Sequence, residues 1–240
     1  MNIKQMLIDP SKYNIKCPYS MNPKWIVIHN TANDASAEDE IKYMISNNDS
    51  VSYHYAVDDL GVIQGIPTNR NTWHCGDGIF GQGNRYGIGI EICYSKSGGA
   101  KFIQAEVNAA KLVAQLLKQY GWGIDRVKRH YDFSPYKQNC PHRTMALGWK
   151  RFLNLIQSEL QDFGALEPYS GYVEVIHNSL AVHSSPSWSD STINGFVTKG
   201  EVFTVVGRIM VEDVYMYKLK SGSYITSSTK YVKYRSTLHG

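Results

Sequence analysis

His29 closes the run Trp25-Ile26-Val27-Ile28-His29-Asn30-Thr31-Ala32. Its four leading apolar residues, mostly of β type, predict a short buried strand that ends in His-Asn-Thr. A histidine at such a strand end is held rigidly, but alone it is more often a satisfied structural residue than a ligand. Farther along, Lys128-Arg129-His130-Tyr131-Asp132 and Asn139-Cys140-Pro141-His142-Arg143 supply a second imidazole and a thiol. His29, His130 and Cys140 together make three ligands from separate segments with a fourth position open. That is how zinc is held at a catalytic site rather than a structural one. A carboxylate, Glu91, stands inside the apolar run Gly87-Ile88-Gly89-Ile90-Glu91-Ile92-Cys93. Burial raises the proton affinity of such a group and suits it to general-base work, although a strand glutamate paired to Lys or Arg is the alternative.

The elements that must position these groups alternate between strand and helix. After His29, an acidic, cap-like stretch at 34–40 leads into Ile41, Met44 and Ile45 at helical spacing. Strands are expected at 52–57 and 62–66, with Tyr53 and Tyr55 on one face and His54 on the other. The 68–86 loop is rich in Asn and Gly and too long for a simple connection, which marks it as functional. Apolar spacing predicts one helix from Ala105 to Tyr120, stopped by Gly121, and another from Leu147 to Leu160. The result is an α/β layer with a mixed β-sheet flanked by helices, its ligands carried on loops at one edge of the sheet. Residues 1–24, punctuated by Pro10, Pro18 and Pro23, are expected to be an irregular arm.

Composition sets the outer bounds. The 240 residues suit one large domain or a medium domain plus a small one, and 42% hydrophobic with 19% charged residues is ordinary for a globular chain. The net charge of +4 is spread over both halves, without the concentrated basic face of a nucleic-acid binder. No stretch approaches the length of a membrane span, and residues 1–13 lack the apolar core of a signal peptide. The expectation is therefore a protein made in the cytoplasm that reaches any outer target only after release. Four cysteines without a CxxC pair argue for free thiols. Cys93 reads as a small buried hydrophobe, and only Cys140 has chemical company.

From 1 to about 160 the chain resembles the zinc-dependent N-acetylmuramoyl-L-alanine amidases of phage and bacilli, which share their fold with the peptidoglycan recognition proteins. The resemblance rests on the segments quoted above. It rests equally on Val51-Ser52-Tyr53-His54-Tyr55-Ala56-Val57-Asp58-Asp59, Asn71-Thr72-Trp73-His74-Cys75-Gly76-Asp77-Gly78 and Gly83-Asn84-Arg85, all in family order. It implies Zn2+ on His29, His130 and Cys140, with Glu91 as the first candidate for general base and Tyr53, matching a tyrosine that assists the attacking water, as the other. Trp73, His74 and Asn84 would contact substrate in the groove. It also implies a lysine before the cysteine as oxyanion partner; Lys137 stands three positions ahead of Cys140 where relatives have two, so the loop must bulge. His142 is not expected to be a ligand, and His54 is expected to point into the fold.

Residues 161–171 lose helical periodicity and read as a linker, and 172–240 as a small all-β domain of short strands. This part resembles the bacterial SH3-type wall-binding module, with His183 where Arg is usual and Tyr215-Met216-Tyr217-Lys218 where a Trp is usual. The combined expectation is a phage endolysin: an amidase at 1–160 acting on peptidoglycan, with a C-terminal SH3-like barrel that binds the wall of a Gram-positive host. A wall cysteine peptidase, with Cys140 as nucleophile, and a non-catalytic peptidoglycan receptor are the rival readings.

Overall fold

The computed structural model describes residues 2–160, 166–188 and 190–237. The chain forms two compact units, Met1–Leu160 and Gln161–Gly240. Among the described residues no helix is long and apolar enough to cross a membrane.

The first unit is built on a six-stranded mixed sheet. Its strands are β1 (Ile3–Gln5), β2 (Trp25–Asn30), β3 (Tyr55–Val57), β4 (Val62–Gln64), β5 (Gly87–Ile92) and β6 (Val127–Arg129), in the order β1-β4-β3-β5-β2-β6. β2 is second from one edge, parallel to β5 on its inner side and to the edge strand β6 on the other. The alternation in Gly87-Ile88-Gly89-Ile90-Glu91-Ile92 now has a cause. Successive side chains point to opposite faces, so the isoleucines share one face, with the two glycines and Glu91 on the other. Ile26, Ile28, Ile88, Ile90 and Ile92 are all fully buried in one cluster with Phe102, Leu112 and Phe152. The last three come from helices α4 (Gly99–Tyr120) and α7 (Trp149–Leu160), while α2 (Ala37–Ser46) packs against β3 and β4, and a short helix α3 (Gln82–Tyr86), inside the segment expected as loop to residue 86, carries Asn84.

Several boundaries differ from those the sequence suggests. The arm is not wholly irregular: β1 pairs in parallel with β4, and α1 (Tyr13–Lys16) ends in a fully buried lysine. Lys16 Nζ donates to Asn47 Oδ1 and to the Val51 carbonyl, so its charge is met by loop oxygens. The 52–57 strand shrinks to Tyr55–Val57 because Ser52 is engaged elsewhere: its amide donates to the Trp73 carbonyl and its hydroxyl to the Lys16 carbonyl. Helix α4 starts six residues earlier than apolar spacing suggests, since Phe102 already belongs to the core.

The second unit is a seven-stranded antiparallel sheet in the order β13-β7-β10-β11-β12-β8-β9. Its members are β7 (Gly171–Val175), β8 (Leu180–His183), β9 (Ile193–Val197), β10 (Val202–Val211), β11 (Val214–Leu219), β12 (Tyr224–Thr226) and β13 (Val232–Arg235). Of the expected linker, residues 161–165 lie outside the described residues. From residue 166 the chain already belongs to this unit, since Glu167 pairs with Arg208 both through the backbone and through a 2.7 Å ion pair.

Candidate active site

His29 lies near the C-terminal end of β2, directly opposite Glu91 of β5 in the parallel register. Cross-strand partners in register point to the same face, so both side chains rise from the sheet together, with His29 Nδ1 3.9 Å from Glu91 Oε1. His130 opens the short helix α5 (His130–Phe133) as β6 ends, and Cys140 immediately precedes Pro141 and α6 (His142–Ala146). Thus the first candidate ligand comes from a strand and only the other two from connections. One donor atom each of His29, His130 and Cys140 lies within 4.8 Å of the others.

What brings Cys140 in is Asn30, the residue after His29. Its Oδ1 accepts from the amides of Arg143 and Thr144, and its Nδ2 donates to Thr144 Oγ1. These amides are free at the start of a helix, so Asn30 docks α6 against the end of β2 and leaves Cys140 Sγ 3.8 Å from His29 Nδ1. Strand alternation turns Asn30 away from His29, which is why the adjacent pair serves two neighbours at once. Sequence reading missed this role. The signal was an amide residue directly following the candidate ligand.

The electrostatics suit a cation. Burial, followed by the neighbouring imidazoles, holds His29 well below the usual histidine range, and burial lowers His130. Burial, then the charge of Glu91, pushes the Cys140 thiol up to about 12. Burial, then the charge of Glu40, pushes the Glu91 carboxyl up to about 8, and its Oε2 is buried without a hydrogen-bond partner. Two imidazoles and a thiol converge on one place, with the Glu91 carboxyl beside His29. This donor set fits a divalent, borderline-soft metal.

The sequence and fold of the first unit recur in known proteins. Residues 19–143 match the model of the N-acetylmuramoyl-L-alanine amidase family. The chain belongs to that family. It is 54% identical over 165 residues to the N-acetylmuramoyl-L-alanine amidase CwlA of Bacillus subtilis, covering 68% of this chain and 60% of that one. To the amidase XlyB of the same organism it is 56% identical over 159 residues, covering 66% and 50%. The chain therefore spans about half to three-fifths of the length of these curated relatives. Among solved structures, PlyL superposes with a TM-score of 0.64 at 52% identity, over 66% of this chain and 99% of that one. The catalytic domain of PlyG gives 0.63 at 52%, over 67% and 96%.

Against this family background the other expected site residues fall in distinct places. Tyr53 is close to Glu91 and lines a cavity of 290 Å³ with it, together with Asn30, Thr31 and Glu40. Its hydroxyl already donates to Glu40, at the carbonyl (2.9 Å) and at Oε2 (3.0 Å). Trp73 Nε1 donates to the Ile15 carbonyl, and its ring meets Tyr19 edge-on, so the structure gives it the job of anchoring the N-terminal arm. His74 and Asn84 are buried, 8% and 3% exposed, beneath His29 rather than along an open groove wall. Lys137 sits on an exposed loop with a left-handed backbone, φ 52°, and its Nζ lies 5.3 Å over the Tyr131 ring. His54 is fully buried and His142 Nε2 faces the Ser95 carbonyl at 3.3 Å. Cys140 is not the only cysteine with company, because Cys75 lies beside His29 and His74.

Proposed function

We propose that this chain hydrolyses the amide joining N-acetylmuramic acid to L-alanine in peptidoglycan, using a zinc ion held by His29, His130 and Cys140. The observation that carries this reading is the register pair His29–Glu91, which sets a buried, unpartnered carboxylate oxygen beside the three converging donors. When bound, the ion would act as a Lewis acid that polarises the amide carbonyl and acidifies a water. Glu91 does the proton work. Its carboxylate accepts a proton from the water that attacks the carbonyl carbon and hands it to the nitrogen as the C–N bond breaks, leaving a carboxylate and a free alanine amine. Tyr53, engaged by Glu40, fixes the wall of the cavity beside Glu91. Lys137 is assigned to the developing oxyanion, on the condition that the exposed loop at 135–139 brings it inward.

The second unit is proposed to bind the wall of a Gram-positive host. Its surface offers Tyr169, Tyr215 and Tyr234 beside Arg208, whose guanidinium lies 4.7 Å over Tyr169 and 4.2 Å over Tyr215. Partly buried aromatic groups with a polar handle suit a polar polymer. Binding there would raise the effective concentration of the first unit at its substrate. The chain would act on the wall after release from the cell that makes it. Of the rivals, the cysteine peptidase needs an activated thiolate, whereas the Cys140 thiol is pushed up to about 12.

The test is a digest of purified peptidoglycan with and without chelator, then with zinc restored. New L-alanine N-termini that vanish on chelation and return with zinc are expected. New reducing sugar ends, or cleavage within the stem peptide, would overturn the reading.

A further inference from the structure

The structure contains a second constellation beneath the first, and it is not placed to meet substrate. His29 Nε2 lies 2.8 Å from His74 Nδ1. His130 Nε2 lies 3.1 Å from the carbonyl oxygen of the next residue, Cys75. A single dipeptide therefore touches the far nitrogen of both imidazoles. The dipeptide is itself clamped, because Asn84 Oδ1 accepts from the amides of His74 (2.8 Å) and Cys75 (2.7 Å). Asp77 in turn accepts from the amides of Gly83 and Asn84, which fixes the clamp.

The direction of the hydrogen bonds follows from the surroundings. A carbonyl only accepts, so His130 must donate from Nε2, and its Nδ1 carries the lone pair. The Cys75 thiol, whose S–H is a weak donor, lies 3.3 Å from His74 Nδ1. His74 Nε2 is buried without a hydrogen-bond partner, whereas Nδ1 is met by both the thiol and His29 Nε2. His74 Nδ1 is thus an acceptor. His29 donates to it from Nε2, and His29 Nδ1 is left bare towards Cys140 and Glu91.

The slot that receives the His74 ring is written into β5. A Cβ added at Gly89 would stand 3.0 Å from His74 Nδ1, and one at Gly87 would stand 3.3 Å from its Cε1. Those two glycines face the same way as Glu91, so the face that presents the carboxylate also makes room for the imidazole beneath it.

We propose that His74-Cys75, held by Asn84, is a positioning element that sets the tautomer and ring orientation of both His29 and His130 for the metal. His74 and Asn84 are on this account positioning residues, not substrate contacts. The inference rests on the zinc reading above for its purpose, but its hydrogen bonds run between this chain's own residues. Partners that fix a ligand's tautomer typically change metal affinity by about 10- to 100-fold when removed.

The experiment uses the full chain and two variants, His74→Phe, which fills the slot without an acceptor, and His74→Asn, whose amide oxygen can replace Nδ1. Zinc affinity is measured by competition with a chromophoric chelator, and the histidine tautomers of the metal-free protein by long-range ¹H–¹⁵N spectra. Wild type should show His29 as the Nε2–H form. His74→Phe should mix the tautomers and weaken zinc binding about 10- to 100-fold, with His74→Asn recovering most of the loss. Zinc binding by His74→Phe within twofold of wild type, or His29 found as Nδ1–H, would overturn the proposal. If wild type itself binds no zinc, the metal reading falls, while the tautomer spectra still decide the hydrogen bonds. Should His74→Phe fail to fold, Asn84→Ala carries the same comparison, because it keeps the ring and frees its backbone.

Discussion

Two connections flank the candidate site, and they are built in opposite ways. The 68–86 segment is folded inward: His74, Cys75 and Asn84 are buried, and the two amides of the dipeptide share one side-chain oxygen. Residues 135–139 are exposed, with Tyr136 91% exposed and Lys137 in the left-handed region. Only the first meets the candidate ligands directly, through His74 and the Cys75 carbonyl, whereas Lys137 lies over Tyr131. On the proposed reading the difference separates two tasks: the interior segment would fix where the ligands point, and the exterior loop would bring charge to a reaction already positioned.

That division can be broken by experiment. The largest effect is expected from neither loop but from the group between them. Glu91→Ala should lower kcat by about 10²–10⁴-fold, read by release of alanine amines, with zinc still bound. Lys137→Ala should cost about 10²–10³-fold in kcat with zinc affinity unchanged, as expected for an oxyanion donor. A loss of zinc from that variant would erase the contrast between the loops. Gly89→Ala forces a Cβ against His74 Nδ1 at 3.0 Å and should reproduce the opposite signature. Zinc binding should weaken by about tenfold or more in competition titrations, as for other losses of ligand support. Tyr53→Phe should be the mildest, below about tenfold in kcat, because the hydroxyl it removes is satisfied by Glu40 and contributes one ordinary hydrogen bond. A hundredfold loss there would place Tyr53 in direct contact with the attacking water.

Outside the site, Asn30 offers a stability test of the same principle. Asn30→Ala would leave the amides of Arg143 and Thr144 without their acceptor. The expected cost is about 1–3 kcal/mol in chemical denaturation, since an unsatisfied buried donor bears its full desolvation penalty.

The parts of this arrangement legible in the sequence are those written in local pattern. The strand ending at His29, the carboxylate interrupting an apolar β5 and the Cys-Pro-His segment all announce themselves through residue type and period. The sheet order does not, nor does the shortening of the 52–57 strand, because Ser52 is claimed by partners 36 residues before it and 21 after it. Trp73, His74 and Asn84 were readable as important but not as to purpose. In a long Asn- and Gly-rich loop a side chain has no period to declare its direction.

The sequence by itself determined the chemistry available: two imidazoles, a thiol and a carboxylate, each placed at the end of, or inside, a run whose burial follows from its composition. It also set the alternation that turns Gly87, Gly89 and Glu91 to one face, since a strand has only two faces and the isoleucines take the other. Tertiary structure alone decided which nitrogens are free. That choice depends on the fold of the 68–86 loop beneath His29, where His74 Nδ1 and the Cys75 carbonyl each meet one imidazole nitrogen. A hydrogen bond across 45 or 55 residues has no local signature. It exists only once the chain has closed.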